Sequence, residues 1–449
     1  MTFNATPHLE RRRRLLASMQ AAGGGVAIIG TAPEVMRNRD ADYPYRHDSY
    51  FHYLSGFTEP EAVMVLVAGS EHRSILFCRD KNLEREIWDG YRFGPQAAQQ
   101  EFAFDAAHPI EELDKSMPAL LADAPAIFYS LGQDRSRDAR LQDWLQGVRG
   151  LARSGVAAPG RIIDINVLLD DMRLHKDATE IDIMRRAGVI SAEAHCRAMR
   201  ISRPGLREYH LEAELLHEFR RNGSQFPAYG SIVATGANAC VLHYRAGDAE
   251  LKDGDLVLID AGCELDSYAA DITRTFPANG RFSGPQRELY EIVLAAHAAA
   301  VAETAPGKRF MDGHDAAVRI LAQGMLDTGL LDGNKLGTRD DVIEQGAYRQ
   351  FYMHRTGHWL GMDVHDVGDY RDPPAADGSK PWRTLQPGMV LTIEPGIYVR
   401  PAEGVPEQYW NIGIRIEDDA HVTASGCELL TTGVPSTVAD IEALMRQGS

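Results

Sequence analysis

The chain has 449 residues, with 44% hydrophobic and 8% aromatic side chains, which is ordinary for a globular protein with a sizeable core. This length favours two domains over one. The formal net charge of −17 at pH 7 argues against nucleic-acid binding, because nucleic acids select basic surfaces. No stretch approaches the roughly 18 consecutive apolar residues of a membrane span, so we expect neither nucleic acid nor a membrane as a partner.

Cysteine usage indicates a reducing compartment. The cysteines are odd in number and scattered without a paired metal-ligand spacing, at Cys78, Cys196, Cys240, Cys263 and Cys427, which predicts free and mostly buried thiols. The basic run at 11–14 is soon followed by glycines at 23–25, a pattern typical of a first helix rather than an export signal. We therefore expect a cytoplasmic protein.

The first part of the chain alternates short apolar runs with helical patches, which predicts an α/β domain. Strands are expected at residues 26–30, 62–68, 74–78, 126–130 and 161–165, and helices around 119–122 and 140–145. Trp88 lies in a polar segment and is expected either to pack or to serve a binding face. A polar stretch precedes a helical pattern for which Thr179 is a plausible cap, so we place a boundary here between two domains, 1–173 and 174–449.

Residues 254–276 contain two strand-like runs on either side of a turn. The first run is apolar and β-branched and ends at Asp260. A hairpin symmetric about Leu265 and Asp266 would place Asp260 opposite Asp271, with Cβ atoms ~5 Å apart. Two like charges at that distance repel unless a cation lies between them. The alternative is that the two are unrelated surface aspartates beside a turn.

A second stretch, residues 387–396, repeats this strand pattern. When the two stretches are aligned on the acid, Gly254, Ile259, Asp260 and Gly262 match Gly388, Ile393, Glu394 and Gly396. Short strands flanked by glycine can also match by chance. The repeat predicts a domain of two related halves, with a carboxylate at the end of a strand in each half and the acids converging between them.

The densest histidine cluster contains His354, His358 and His365. The first two have the i, i+4 spacing of a helical ligand pair, but Gly357 and Gly361 argue against a helix. These glycines are typical of backbone that must approach something closely. Three histidines within twelve positions favour a functional role over a structural one, although the spacing alone does not say which histidine is a ligand.

Two further sites carry candidate polar side chains. His243 follows a short apolar piece, and a lone histidine in such a place is more often structural than catalytic. Arg415 and Glu417 are two apart in a strand-like run and therefore point to the same face. Arg415 could hold a carboxylate through a bidentate pair, or the two residues could belong to a solvated strand face.

The acids and one histidine add up to a metal site. Four carboxylates balance two divalent cations and a hydroxide to within one unit of charge, and they come from Asp260, Asp271, Glu394 and Glu417. Oxygen ligands with a single imidazole favour Mn²⁺, with Zn²⁺ or Co²⁺ as alternatives. Two such ions would activate a water molecule and polarise a carbonyl, which predicts hydrolysis. The sequence has no nucleophile elbow, Walker loop or dinucleotide fingerprint that competes with this interpretation.

The ordered motifs resemble those of the pita-bread metallopeptidases, and among them the Xaa-Pro aminopeptidase (aminopeptidase P) family. They are Ile-Asp-Ala-Gly at 259–262, Asp-Ile-Thr-Arg-Thr at 271–275, the histidine segment 354–366, Thr-Ile-Glu-Pro-Gly-Ile-Tyr at 392–398 and Gly-Ile-Arg-Ile-Glu-Asp at 413–418. Residues 51–62 and 85–90 are similar to that family's N-terminal domain. The resemblance implies a mixed α/β (α+β) fold, in which a creatinase-like α/β domain is followed by a pita-bread catalytic domain with an internal pseudo-twofold repeat.

The resemblance also assigns roles to residues. It implies that two metal ions, typically manganese, are bound by Asp260, Asp271, His358, Glu394 and Glu417. His358 is selected because the family's ligand lies seven positions before a substrate-binding histidine, here His365. The resemblance implies supporting or substrate-binding roles for His243, His354 and His365, and it implies that Arg415 supports the metal carboxylates. Glu394 would also accept a proton and return it to the leaving proline nitrogen.

The expected activity is removal of the N-terminal residue from peptides that have proline at the second position. Because the Xaa-Pro bond has no N–H, selectivity must come from an apolar slot, for which Tyr229, Tyr398 and Trp88 are candidates. In similar proteins Trp88 can come from a neighbouring subunit, so a homo-oligomer, tetramer or dimer, is expected. The alternatives are prolidase, which cleaves only dipeptides, and a non-catalytic peptide-binding homologue. The metal-free creatinases share the fold, but the five ligands argue against them.

Overall fold

The structure, a computed structural model, describes residues 3–447. The chain divides into two compact units, Met1–Asp170 and Asp171–Ser449. The domain boundary predicted from the sequence, between residues 173 and 174, lies three residues after this division and stays a prediction. Among residues 3–447, none of the helices combines the length and the apolar character that a bilayer crossing requires.

The first unit is built on a six-stranded mixed sheet with the strand order β6-β5-β4-β1-β7-β8. Its elements in chain order are α1 (Thr6–Ala21), β1 (Gly25–Gly30), β2 (Met36–Asn38), β3 (Ala41–Asp42), α2 (Ser49–Ser55), β4 (Val63–Ala68), β5 (Arg73–Cys78), α3 (Leu83–Asp89), α4 (Gly94–Glu101), β6 (Ala106–Pro109), α5 (Leu113–Leu121), β7 (Ile127–Phe128), α6 (Arg135–Gly150), β8 (Ile162–Ile163) and α7 (Asn166–Leu174), within which the division falls. All five strands predicted here from the sequence lie in this sheet. The α/β prediction for this part is confirmed.

The second unit contains two helix pairs, each followed by short antiparallel strands. The elements of its first half are α8 (Ala178–Ile201), α9 (Glu208–Arg221), β9 (Phe226–Pro227), β10 (Ile232–Thr235), β11 (Leu256–Asp260), β12 (Cys263–Leu265), β13 (Tyr268–Ala269) and β14 (Thr273–Pro277). Those of its second half are α10 (Gly284–Glu303), α11 (Phe310–Asp327), α12 (Gly333–Leu336), α13 (Arg339–Gln345), β15 (Val390–Ile393), β16 (Gly396–Val399), β17 (Ile412–Arg415), β18 (Asp418–Val422), β19 (Cys427–Leu429) and α14 (Val438–Arg446). One continuous apolar core joins both halves.

The two halves of this unit have the same strand arrangement. In the first half an outer antiparallel pair, β11 and β14, encloses an inner hairpin, β12 and β13. In the second half β15 and β18 form the outer pair and β16 and β17 the inner one. The predicted internal repeat is therefore confirmed, and it extends well beyond the ten residues in which the sequence shows it.

The register predicted for the first hairpin is wrong by two residues. Asp260 pairs with Thr273, not with Asp271. The reason is the turn, whose two central residues are Asp266 and Ser267, with φ values of +47° and +72°. Two left-handed residues form the tight turn that matches strand twist, so the hairpin is centred one residue later than predicted. Asp271 stands diagonally to Asp260 and precedes β14.

The N-cap of helix α8 lies two residues earlier in the sequence than predicted. Asp177, not Thr179, is the N-cap, and its side chain accepts hydrogen bonds from the backbone N–H groups of Thr179 and Glu180. In return, the Glu180 carboxylate accepts a hydrogen bond from the backbone N–H of Asp177. This reciprocal pair satisfies donors that a helix start otherwise leaves without partners.

Candidate metal centre and active site

The four acidic residues occupy equivalent positions in the two halves of the repeat. Asp260 is the last residue of β11, and Glu394 directly follows the equivalent strand β15. Asp271 and Glu417 come just before the other outer strands, β14 and β18. An antiparallel bridge between Thr273 and Glu417 joins the halves at this point. The acids of the two halves therefore converge where the outer strand pairs meet.

All five metal ligands implied by the resemblance line one cavity of about 700 Å³, namely Asp260, Asp271, His358, Glu394 and Glu417. Nε2 of His358 lies 3.7 Å from a carboxylate oxygen of Asp271 and 3.7 Å from one of Glu394. Asp271, His358 and Glu417 each offer a ligand atom, and these atoms lie within 4.8 Å of one another. The hydroxyl oxygen of Tyr229 lies within hydrogen-bond distance of a carboxylate oxygen of both Asp260 and Asp271, although its single proton can go to only one of them. This contact places Asp260 at the same centre as the other ligands.

His358 reaches the centre because its segment runs alongside β15. Backbone hydrogen bonds connect Thr392 N to His358 O and Glu394 N to Thr356 O, at 2.9 and 2.8 Å. A Cβ on Gly357 would stand 2.0 Å from the carbonyl oxygen of Thr392, so only glycine permits this approach. The prediction that these glycines serve close backbone contact, rather than a helix, is confirmed for Gly357.

The His358 ring is oriented as a metal ligand would be. Its Nδ1 lies 2.9 Å from the carbonyl oxygen of Trp359, and since a carbonyl only accepts, Nδ1 carries the proton. Burial lowers the pKa of His358 to about 4, so the ring is neutral near pH 7. The lone pair of Nε2 therefore faces the carboxyl groups of Asp271 and Glu394. This is the orientation that metal-binding histidines commonly show, with the other ring N–H held by a carbonyl.

The pKa values of the buried carboxyl groups show that their ionised forms are unfavourable without a cation. Burial, followed by the charges of Asp260 and Asp419, raises the pKa of Asp271 well above its ordinary value. Burial and the charge of Asp271 do the same to Glu417. Burial raises the pKa of Glu394 to about 8. Four carboxylates and one imidazole in one buried cavity repel one another unless a cation or protons lie between them. Such a set of oxygen and nitrogen donors fits divalent metal ions.

Arg415 supports the acids, but not by the bidentate pair considered from the sequence. It is 3% exposed, which excludes the solvated strand face. One N–H group goes to Asp260 at 2.6 Å, one to the hydroxyl of Tyr398 at 3.0 Å and one to the hydroxyl of Thr273 at 3.0 Å. The guanidinium thus ties one acid to two neutral side chains, which fixes the orientation of all three.

Two threonines that the sequence analysis missed complete the support. The Thr273 hydroxyl accepts from Arg415 and donates to Glu417 at 2.5 Å. The Thr392 hydroxyl accepts the backbone N–H of His358 at 3.1 Å and donates to Glu394 at 3.4 Å. Each threonine lies two residues from an acid on the same chain segment, and residues two apart in a strand share a face. That spacing was a signal by which they could have been found.

The other predicted residues differ in their placement. Tyr229, His243, His354 and His365 line the cavity, and the rings of His358 and His365 are 4.1 Å apart. Tyr398 is 2% exposed, and its hydroxyl contacts Nε2 of His354 at 2.8 Å. These contacts give Tyr398 a supporting position beside Arg415 and His354, and its part in an apolar slot stays a prediction.

Trp88 belongs to the first unit, on the short helix α3, where 79% of its surface is exposed. The first of the two expectations for Trp88, that it packs, is therefore wrong within this chain. Leu83, Ile87 and Tyr91 on the same short stretch are exposed as well. A role of Trp88 in substrate binding stays a prediction.

A buried ionic cluster, also missed from the sequence, fixes the loop that carries His365. Asp366 contacts Nη2 of Arg173 at 2.6 Å and Nζ of Lys176 at 2.8 Å, and all three side chains are at most 2% exposed. Gly361 lies against this carboxylate, since a Cβ there would stand 2.2 Å from it. His365 directly precedes Asp366, so the ion pairs of Asp366 also fix the position of His365 in the cavity lining.

Replacing Asp366 by alanine is expected to destabilise the protein by about 3–5 kcal/mol, because it leaves two buried cations without their shared carboxylate. Thermal and urea unfolding of the full chain measure the effect. The control is Asp369→Ala, an exposed aspartate three residues later, which should change the free energy of unfolding by less than about 0.5 kcal/mol. If the two variants were equally stable, the ionic cluster would not be what holds this loop in place.

Comparison with known proteins places this fold and site in a class. The family model described as metallopeptidase family M24 matches residues 182–424, and the one described as aminopeptidase P, N-terminal domain, matches residues 8–129. The chain belongs to metallopeptidase family M24. The resemblance to pita-bread metallopeptidases predicted from the motifs is thereby confirmed.

The relatives define the class more narrowly. The chain is 45% identical to the Xaa-Pro aminopeptidases of Escherichia coli and Haemophilus influenzae, in each case over 97% of this chain and 96% of the relative. A solved structure of Pseudomonas aeruginosa aminopeptidase PepP is 50% identical, with a TM-score of 0.95 over 100% of this chain and 99% of that one. A zinc-substituted Escherichia coli aminopeptidase P in complex with product is 43% identical, with a TM-score of 0.94 over 100% of both chains.

Proposed function

We propose that this chain is a dinuclear-metal Xaa-Pro aminopeptidase, which removes the N-terminal residue from peptides with proline at the second position. The observation that carries the proposal is the convergence of four carboxylates and the Nε2 lone pair of His358 in one cavity. Full-length relatives with the same activity in their names support it. The oxygen-rich donor set favours manganese, with zinc or cobalt as alternatives.

Bound divalent ions would supply a water molecule of lowered pKa and polarise the scissile carbonyl. Glu394 is the residue that we assign to proton transfer. Its Oε1 receives the weak hydrogen bond from Thr392 at 3.4 Å, while its Oε2 lies 3.9 Å from Nδ1 of His354. Oε2 therefore remains available to accept a proton from the attacking water and to return it to the leaving proline nitrogen.

The histidines of the cavity would hold the substrate. His243 and His365 line the cavity without belonging to the proposed ligand set, and a ring N–H from either could donate to the developing oxyanion or to the peptide backbone. Tyr229 is held by its hydrogen bonds to the acids, which leaves its ring facing the cavity. Ile232, Leu242 and Val364 add apolar surface to the lining, as a slot for a proline ring requires.

Three finer expectations remain proposals. A homo-oligomer, tetramer or dimer, is proposed on the resemblance, and the exposed tryptophan of α3 is compatible with it. A cytoplasmic location is proposed on the free cysteines, of which four of the five are buried. Prolidase is the second candidate within the family.

Hydrolysis of an Xaa-Pro-Xaa tripeptide by metal-stripped and Mn²⁺-restored protein tests the proposal. We expect release of the first residue only from the restored protein, at a rate at least about 100-fold above that of the stripped one. The matched peptide Xaa-Ala-Xaa should be cleaved far more slowly. Cleavage of Xaa-Pro dipeptides without cleavage of the tripeptide would instead identify a prolidase. Activity that is independent of metal would end the proposal.

A further inference from the structure

Besides Arg415, two arginines line the active-site cavity, Arg245 and Arg355. Both side chains are exposed. Within residues 3–447, neither guanidinium lies within 4.0 Å of a carboxylate oxygen or donates a hydrogen bond to an acceptor. By contrast, each of the three guanidinium nitrogen atoms of Arg415 in the same cavity donates a hydrogen bond. The cavity wall therefore presents two cations whose hydrogen-bond donors are free for a ligand.

Arg245 lies beside Gly230, which follows Tyr229 in the cavity lining. Its Nη1 would lie 3.2 Å from a Cβ on Gly230, so the guanidinium lies against a residue that has no side chain of its own. The hydroxyl of the neighbouring Tyr229 contacts the carboxylates of Asp260 and Asp271. The absence of a side chain at position 230 thus lets this cation approach the part of the cavity where the substrate must lie.

Arg355 lines the same cavity and lies beside Trp382. Its guanidinium carbon is 5.2 Å from the centre of the Trp382 ring, a distance at which a cation and an aromatic face attract each other. Arg371 lies closer to that ring, at 3.4 Å, and donates to the carbonyl oxygen of Lys380. The Trp382 ring restricts Arg355 without using its N–H groups, which remain available to a planar, bidentate acceptor.

We propose that Arg245 and Arg355 form a subsite for a carboxylate of the peptide substrate. This inference rests on the proposed function, since a peptide must occupy the cavity. Among the groups of an unmodified peptide, a carboxylate alone is anionic near pH 7 and matches the fork of a guanidinium. Its source is an acidic side chain or the C-terminal carboxylate, and both have the same chemistry. Peptides with such a group within reach are preferred over neutral ones.

Four peptides separate the sources: Ala-Pro-Gln amide, which has no carboxylate, Ala-Pro-Gln free acid, Ala-Pro-Glu amide and Glu-Pro-Gln amide. We measure kcat and KM of the Mn²⁺-loaded protein for each. The effect should lie in KM, because a remote contact binds substrate and transition state alike. Since both cations are exposed, we expect kcat/KM to be about threefold to tenfold higher for at least one carboxylate peptide than for the neutral one.

The same ratios are measured for Arg245→Gln, Arg355→Gln and the double variant. Glutamine retains length and hydrogen bonding but removes the charge. The preference should fall to about one in the double variant, and the peptide that shows it in the wild type identifies the source. The control is Arg287→Gln, an exposed arginine on α10 outside the cavity lining, which should retain the wild-type ratios and activity.

Two results would overturn the subsite. One is equal kcat/KM for all four peptides in the wild type, and the other is a preference that the double variant retains. If none of the peptides is hydrolysed, the proposed function fails separately. The same four peptides can then be titrated calorimetrically into the same proteins without turnover. The ratio of their Kd values decides the carboxylate preference on the same criteria.

Discussion

Replacing Glu394 by glutamine is expected to lower kcat on an Xaa-Pro-Xaa peptide by about 10²–10⁴-fold, the usual contribution of a general base. Glutamine keeps the size of the side chain and can still accept the hydrogen bond from Thr392, but it cannot take up a proton. The substitution also removes one of the four negative charges of the centre. The loss should therefore appear in kcat, with KM changed much less.

Metal content must be measured on the same preparation, because Glu394 is also a proposed ligand. A variant that keeps its metal and loses kcat identifies the proton acceptor, whereas loss of metal identifies the ligand role. The control is Glu403→Gln, an exposed glutamate in the loop after β16, which should behave as the wild type. If Glu394→Gln retained more than about a tenth of the wild-type kcat, another residue would have to accept the proton.

Local patterns predicted the parts of the fold that depend on local chemistry. Apolar, β-branched runs identified β1, β4, β5 and β11, because such residues fill a buried strand whatever their partners are. The acid at the end of a strand, found twice, predicted the repeat and the convergence of its carboxylates. A charged residue directly after a buried apolar strand is costly, so its presence is informative without knowledge of the tertiary structure.

The hairpin register could not be obtained in the same way. The sequence Glu-Leu-Asp-Ser at 264–267 permits a turn centred on either of two residue pairs, and the choice depends on which residues accept positive φ. Aspartate tolerates the left-handed region and serine less so, yet both Asp266 and Ser267 adopt it. The turn sequence alone therefore does not determine the register.

Contacts between distant parts of the chain also could not be predicted from the sequence. Lys176 and Asp366 are 190 residues apart, and neither lies in a pattern that marks it as buried. The three partners of Arg415 also come from separate strands, so a two-residue spacing could indicate its face but not its hydrogen bonds. Side chains that support a site are specified by the assembled fold, whereas ligands are marked by their own chemistry.

The ion-free protein is expected to lose stability as the pH rises from about 7 to about 8.5, while the metal-loaded protein does not. Without an ion, burial raises the pKa of Glu394 from 4.5 to about 8, and it raises the pKa values of Asp271 and Glu417 well above their ordinary range. A raised carboxyl pKa means that the folded chain holds its proton more tightly than the unfolded chain. Its contribution to stability is complete below the unfolded pKa and is lost as the pH rises through the folded one.

Bound cations reverse this dependence, because they stabilise the ionised carboxylates and bind more tightly as protons leave. The difference in Tm between the loaded and ion-free forms should therefore grow across this window, as calorimetry of both forms at several pH values would show. The buried ligand His358, with its pKa lowered to about 4, is neutral in the folded and unfolded chains above pH 7 and does not oppose the trend. Glu394→Gln should reduce the slope of the ion-free protein, because it removes one of the three carboxyl groups with raised pKa values, whereas Glu403→Gln should leave it unchanged. A Tm of the ion-free protein that rises over this window would mean that the acids of the cavity are not held in repulsion, and the case for a cation between them would fail.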